Sequence, residues 1–146
     1  LEPNITALLD PANVKWKDLL SPGISVPTDY GKDALDALQA ERQARRQAVA
    51  KEIEEAREKG ADSAAIKSIQ EKAAQEDKKT QAAIEEIRRK FASLADKVGV
   101  FEGAGYSAKG LYRSQINCIM ISSPKREFCA ACRRALAAKI AYYTAK

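Results

Sequence analysis

The chain contains no histidine. A Ser-His-Asp triad, a Cys-His pair, an imidazole general base and a His-liganded zinc site are therefore excluded within it. Aromatic residues are scarce, at 6% of 146 residues with Trp16 the single tryptophan, whereas 31% are charged. That balance belongs to long, Ala-rich, solvated helices rather than to a β sandwich. No run approaches the roughly 20 apolar residues of a membrane span, and the residues from Leu1 onward do not read as a basic-then-apolar leader. The expectation is a soluble, processed or excised piece of a longer protein. Hydrophobic residues make up 45%, enough for one core of single-domain size.

The net charge of +5 is unevenly placed. Residues 1–30 carry 2 basic and 4 acidic groups, residues 31–98 carry 15 and 14, and residues 99–146 carry 8 and 2. The long middle is charge-balanced with Phe91 as its one aromatic, which disfavours a nucleic-acid surface of clustered cations and stacking rings. Lys125, Arg126, Arg133 and Arg134 cluster near the start of the last helix and suit, as a minor reading, an acidic polymer or anionic surface.

Three segments follow. Residues 1–30 hold four of the five prolines, and a short helix is expected over Ala12–Leu20 with Trp16 as a packing anchor. Residues 31–98 read as an antiparallel helical hairpin. The first helix runs from Asp33 to about Lys59, with Leu35, Leu38, Val49, Ile53 and Ala56 on one side and Arg42 and Arg45 interrupting the seam. Gly60 ends it, Asp62 or Ser63 caps the next helix, and Ile66, Ile69, Ala73, Ile84, Ile87, Phe91, Leu94 and Val98 carry the second one, with Glu76 and Thr80 at its centre. Glu41 with Arg45 and Glu55 with Lys59 have the favoured i,i+4 order. Residues 99–146 are Gly-rich, then densely apolar over Ile116–Ile121 up to Ser122-Ser123-Pro124, where a buried strand or tight turn is expected. A final helix starts at Arg126 or Glu127, with Phe128, Cys132, Leu136, Ile140 and Tyr143 on one face. The fold class is mainly α: a hairpin projecting from a small irregular and helical base.

Cys118, Cys129 and Cys132 form a C-x10-C-x2-C set. A structural zinc site would lack its fourth ligand within a Cys/His set, and a thioredoxin-type dithiol lacks its α/β surroundings. One disulfide from Cys118 to Cys129 or Cys132, or buried thiols, are the simpler readings. The disulfide is favoured if the protein is exported, no metal is assigned, and one thiol is left over.

The order of residues adds a resemblance. Val100-Phe101-Glu102-Gly103-Ala104-Gly105-Tyr106, Lys109-Gly110-Leu111-Tyr112-Arg113, Asn117-Cys118-Ile119-Met120 and Phe128-Cys129-Ala130-Ala131-Cys132 follow one another. This tail closely resembles the C-terminal part of the IgA-peptidase family of zinc metalloendopeptidases. Glu2-Pro3-Asn4-Ile5-Thr6 and Lys15-Trp16 look like that family's segment after its catalytic helix. The hairpin is outside the signature and reads as an insertion. Ser114 and Ala130-Ala131 depart from the pattern, standing where a proline is common, and are expected to loosen the backbone.

The resemblance implies a secreted or cell-surface zincin whose His-Glu-x-x-His helix, upstream of Leu1, supplies zinc ligands and the water-activating Glu. This chain would be inactive alone. It would contribute Met120 as a Met-turn-like floor under the metal, with Glu102, Tyr106 and Tyr112 lining the cleft. Arg113 would hold a peptide carboxylate or pair internally with Glu102. The partner implied is a protein or peptide substrate. The alternative is a non-catalytic helical module whose hairpin binds a partner protein.

Overall fold

The structure, a computed structural model, describes residues 2–121 and 126–145. The Ser122-Ser123-Pro124 boundary and Lys125 of the basic cluster lie outside the described residues. The protein is mainly α. In chain order the elements are β1 (Ile5–Thr6), α1 (Lys32–Glu58), α2 (Ser63–Lys90), β2 (Phe101–Ala104), β3 (Ser107–Arg113) and α3 (Ala130–Thr144), with 3-10 turns at Pro11–Asn13, Lys17–Leu19 and Ala92–Leu94. Two compact units result: Leu1–Tyr30 with Phe91–Lys146, and Gly31–Lys90.

In the Gly31–Lys90 unit, two long helices pack together. α1 is a run of strong helix formers, and it stops where Gly60 adopts a left-handed φ of 74°. The Gly60 N–H then bonds Arg57 O and the Ala61 N–H bonds Ala56 O, the paired closure of a Schellman end. Asp62 Oδ1 accepts from the Ala65 N–H at 2.8 Å and caps α2. Leu35, Leu38, Val49, Ile53 and Ala56 of α1 are half-buried, as are Ile66, Ile69, Ala73 and Ile87 of α2, while Thr80 and Ile84 are buried. Arg42 and Arg45 sit in this seam and find partners there. Arg42 makes two 2.6 Å bonds to the Asp77 carboxylate, and Arg45 donates to Thr80 Oγ1 at 3.0 Å. The break in the apolar pattern is thus a polar layer that fixes register. Arg45 also pairs with Glu41, whereas Glu55 meets Lys51 at 3.8 Å instead of the expected Lys59.

α2 ends at Lys90 and not near Val98. The chain passes into the 3-10 turn Ala92–Leu94, and Val98–Val100 is drawn out of the helix by long-range pairing. The Ser21 N–H bonds Val98 O at 2.9 Å, the Ser21 hydroxyl accepts from the Val98 N–H, and Thr28 treats Val100 in the same way. Residues 21–28 and 98–100 thereby join the two segments that flank the hairpin.

The core of this unit is Val14, Trp16, Val98, Val100, Cys118, Cys129, Ala131 and Cys132. The expected helix over Ala12–Leu20 is replaced by two short turns that flank Trp16, whose side chain is wholly buried. Its indole N–H donates to Gly99 O at 2.8 Å. A Cβ on Gly99 would lie 2.7 Å from Thr28 Oγ1 and 2.9 Å from the Phe101 ring, so glycine is required there by space. β3 is the centre of a sheet ordered β1-β3-β2, antiparallel throughout. The apolar run over Ile116–Ile121 is a turn rather than a strand, and α3 begins at Ala130 with Cys129 as its N-cap. Only Ala131 and Cys132 of α3 are buried, and Leu136, Ile140, Tyr142 and Tyr143 are exposed.

Gly99→Ala should destabilise the chain by about 1–3 kcal/mol, the usual cost of forcing a methyl into packed surroundings; denaturant unfolding at unchanged slope measures it. Asp77 responds to acid. Its hydrogen bonds to Arg42 hold the carboxyl down at about 2, against an ordinary 3.8. A folded-state value below the unfolded one means that the stabilisation is complete above the unfolded value and is lost as pH falls through the folded one. Helix unfolding followed by circular dichroism should show an acid limb between about pH 4 and 2 that Asp77→Asn flattens.

Candidate functional site

β2 and β3 are joined by the two-residue turn Gly105-Tyr106, with φ of 56° and 63°. Positive φ at both positions is the type I′ geometry that matches strand twist. Tyr106 stands at the apex with its side chain fully exposed, so it lines no cleft within this unit. Glu102 and Tyr112 are directly opposite across the strand pair, with Thr6 of β1 beside Tyr112. Glu102 Oε1 accepts from the Gly110 N–H at 3.0 Å, which ties the carboxylate to the hairpin backbone.

Arg113 lies in the neighbouring row, opposite Phe101 and Ile5. Of its two expected roles, the internal pair with Glu102 does not form: its guanidinium donates to Gly103 O at 2.8 Å and lies 5.6 Å from the centre of the Tyr30 ring. Tyr30 also meets Phe101 edge to face at 5.7 Å and donates to Glu102 O at 2.6 Å. One tyrosine thus holds three positions of the sheet. Its place before the hairpin gave no sign of this. The Arg113 Nε is buried and unpartnered.

Met120 sits on the turn closed by the Ile121 N–H to Cys118 O at 2.9 Å and by the Ile119 N–H to Glu127 O at 2.8 Å. Cys118 is buried beneath, whereas Met120 is 55% exposed and Ile119 44%. The methionine is therefore displayed at a surface, on a turn anchored from below. Nearby, Asp96, Gln115, Asn117, Glu127 and Arg133 line a polar cleft of about 180 Å³ with Cys129 at its wall. None of Glu102, Tyr106 or Tyr112 takes part in it.

Of the basic cluster, Arg133 bonds Phe128 O at 2.7 Å, and Arg134 pairs with Asp18 and bonds Lys15 O at 2.8 Å. Arg134 lowers the Asp18 pKa through that hydrogen bond. These two arginines fasten α3 and the turn before it rather than forming a free cationic patch.

The three cysteines are free thiols, all buried, with their sulfurs within 4.8 Å of one another. Cys118 and Cys132 Sγ are 3.8 Å apart. Donors converge on them: the Cys129 N–H on Cys118 Sγ at 3.4 Å, the Asn4 amide on Cys118 Sγ at 3.9 Å, and the Ser114 hydroxyl on Cys129 Sγ at 3.4 Å. Burial pushes the Cys129 thiol up, but hydrogen bonds from Ser114, the Cys132 backbone and the two other cysteines bring it below the ordinary thiol value. Burial and the neighbouring Cys129 push Cys132 up.

Ser114 and Ala130, expected to loosen the backbone where the resemblance has proline, each make a hydrogen bond. Ser114 N–H bonds Asn4 O at 3.2 Å, and Ala130 N–H bonds Gln115 Oε1 at 2.7 Å. Proline has no N–H to make either bond.

The sequence model of the family described as IgA Peptidase M64 matches residues 1–140. The chain belongs to the IgA Peptidase M64 family. No curated protein and no solved structure matches it. A peptidase zinc needs His or carboxylate ligands around an open coordination position. An M64 chain without histidine, whose clustered metal-ligating groups among the described residues are three buried thiols, does not fit an open catalytic site of that kind.

Ser114→Ala removes a donor that favours the Cys129 thiolate, so the ultraviolet thiolate absorbance should titrate at higher pH than in the parent chain. An unmoved titration would show that the hydroxyl does not govern the thiol.

Proposed function

We propose that this chain is the downstream portion of a zinc-dependent metalloendopeptidase that hydrolyses peptide bonds in proteins. The observation that carries the reading is the family match over residues 1–140, which extends from the β1 segment through most of α3. In such an enzyme, residues outside this chain would hold the zinc, whose chemistry would be the activation of water. The ligands for it come from outside these 146 residues, since the chain has no histidine.

What this chain contributes is support. Met120, exposed on its anchored turn, supplies an apolar floor next to the metal-bearing part of the protein. Glu102 and Tyr112, adjacent on β2 and β3, supply polar wall, and the tied Glu102 carboxylate keeps one orientation. The exposed apolar residues Ile119, Phe128, Leu136 and Ile140 suit contact with that same remaining part. Gly31–Lys90 is an accessory unit, and the protein acts outside the cytoplasm. No helix among the described residues is long and apolar enough to cross a membrane.

The full protein should cleave protein substrates, lose that activity to a chelator and regain it with zinc; activity indifferent to chelation would sink the metallopeptidase reading. Met120→Glu in the full protein should lower kcat on the order of 10-fold to 100-fold through misplaced catalytic groups, with reduced zinc content. Unchanged kcat and zinc content would remove Met120 from the floor. Replacing residues 32–89 by a short Gly/Ser turn should leave peptide hydrolysis largely intact, read as kcat/KM on a short substrate.

A further inference from the structure

Three thiols buried together are an unusual load for a small core. One disulfide satisfies two of them and strands the third. The same three sulfurs surround a point that one thiophilic cation can occupy: with zinc–sulfur bonds of about 2.3 Å, tetrahedral thiolates stand about 3.8 Å apart. Cys118 and Cys132 already have that separation, and all three sulfurs lie within 4.8 Å.

The surroundings fit a thiolate set. A main-chain donor from Cys129 and a side-chain donor from Ser114 point at the sulfurs and compensate their negative charge. Cys129 and Cys132 lie at the N-terminal end of α3, the positive end of the helix dipole. A second observation stands apart from the cysteines: Asn4 is 1% exposed, and its Oδ1 is buried without any hydrogen-bond partner. Its amide nitrogen faces Cys118 Sγ, so a half-turn of the amide carries the orphaned oxygen toward the sulfurs. A buried carbonyl oxygen with no donor is costly unless something electropositive meets it. Cys129 also forms part of the wall of the polar cleft, which gives an ion a way in.

We infer that Cys118, Cys129 and Cys132 bind one thiophilic divalent cation of the zinc class as thiolates, with Asn4 Oδ1 as the fourth ligand. The site is structural. Four protein ligands leave no open position for substrate or water. It joins the residue before β1 to the Cys118 turn and the start of α3, across a sequence separation of 114 from Asn4 to Cys118. It is independent of the peptidase reading, since a thiolate site with a closed coordination shell performs no hydrolysis.

The test is a cobalt(II) titration of the full protein, reduced and stripped of metal. Sulfur-to-cobalt charge transfer in the near ultraviolet arises from thiolate ligands alone, so a His/carboxylate peptidase site elsewhere in the protein does not contribute to it. The expected result is a saturable band with the intensity of one cobalt bound by three thiolates, loss of the band when zinc is added, and about a one-third smaller band in Cys132→Ser. Asn4→Ala, which leaves all three thiols, should retain the band, shift the visible cobalt transitions and weaken zinc binding on the order of 10-fold. Reduced wild-type protein with three titratable thiols and no charge-transfer band would overturn the site. So would unreduced protein, isolated without chelator, in which mass spectrometry finds Cys118 bridged to Cys129 or Cys132. Unshifted cobalt transitions in Asn4→Ala would remove the fourth ligand.

Discussion

The unit formed by the two ends of the chain turns on the meeting of Trp16 with Gly99. The indole is fully buried, and its one polar atom is satisfied by a carbonyl on a residue that has no room for a side chain. A buried indole N–H without a partner would offset much of what the ring gains by leaving water. That single hydrogen bond therefore sets how closely the segment after β1 approaches Val98–Val100. The Ser21 and Thr28 bonds to Val98 and Val100 extend the approach into a short seam. The sheet continues from it: Gly99 N–H bonds Ser114 O, Ser114 N–H bonds Asn4 O, and β3 is thus held between β1 and β2.

The hairpin follows a different logic. Its apolar stripe is thin and is broken at mid-length by Arg42 and Arg45, yet both arginines are matched from α2 by Asp77 and Thr80. An apolar seam tolerates sliding by a turn, since one aliphatic contact resembles the next. A two-pronged guanidinium–carboxylate contact does not, because its partners must coincide in position and angle. The polar layer spends some burial to select one alignment.

The two hairpin helices, the Gly60 reversal and the packing role of Trp16 were legible in the sequence because they rest on local chemistry: helix formers in a run, glycine at a left-handed position, one large ring in an aromatic-poor chain. Helix ends decided by distant partners were not. The spacing of Phe91, Leu94 and Val98 continues the α2 pattern, but Val98 is claimed by Ser21, and no periodicity announces such a claim. The site divides in the same way. Glu102 and Tyr112 fall together as cross-strand neighbours, whereas Tyr106 is carried outward by its turn and Arg113 is taken by Tyr30 and Gly103. The thiols were visible as a spacing. Their convergence with Asn4 needed the fold.

The polar layer has a consequence for how the chain folds. Ser21 and Val98 are 77 positions apart, and bringing such distant residues together costs chain entropy before any contact repays it. The helical hairpin is built from nearer neighbours, Arg42 and Asp77 being 35 positions apart. Loop-closure cost grows with the length of chain enclosed, so the polar layer is the less costly of the two contacts to close. The hairpin thus asks less of chain entropy, contact for contact, than the seam between the segments that flank it.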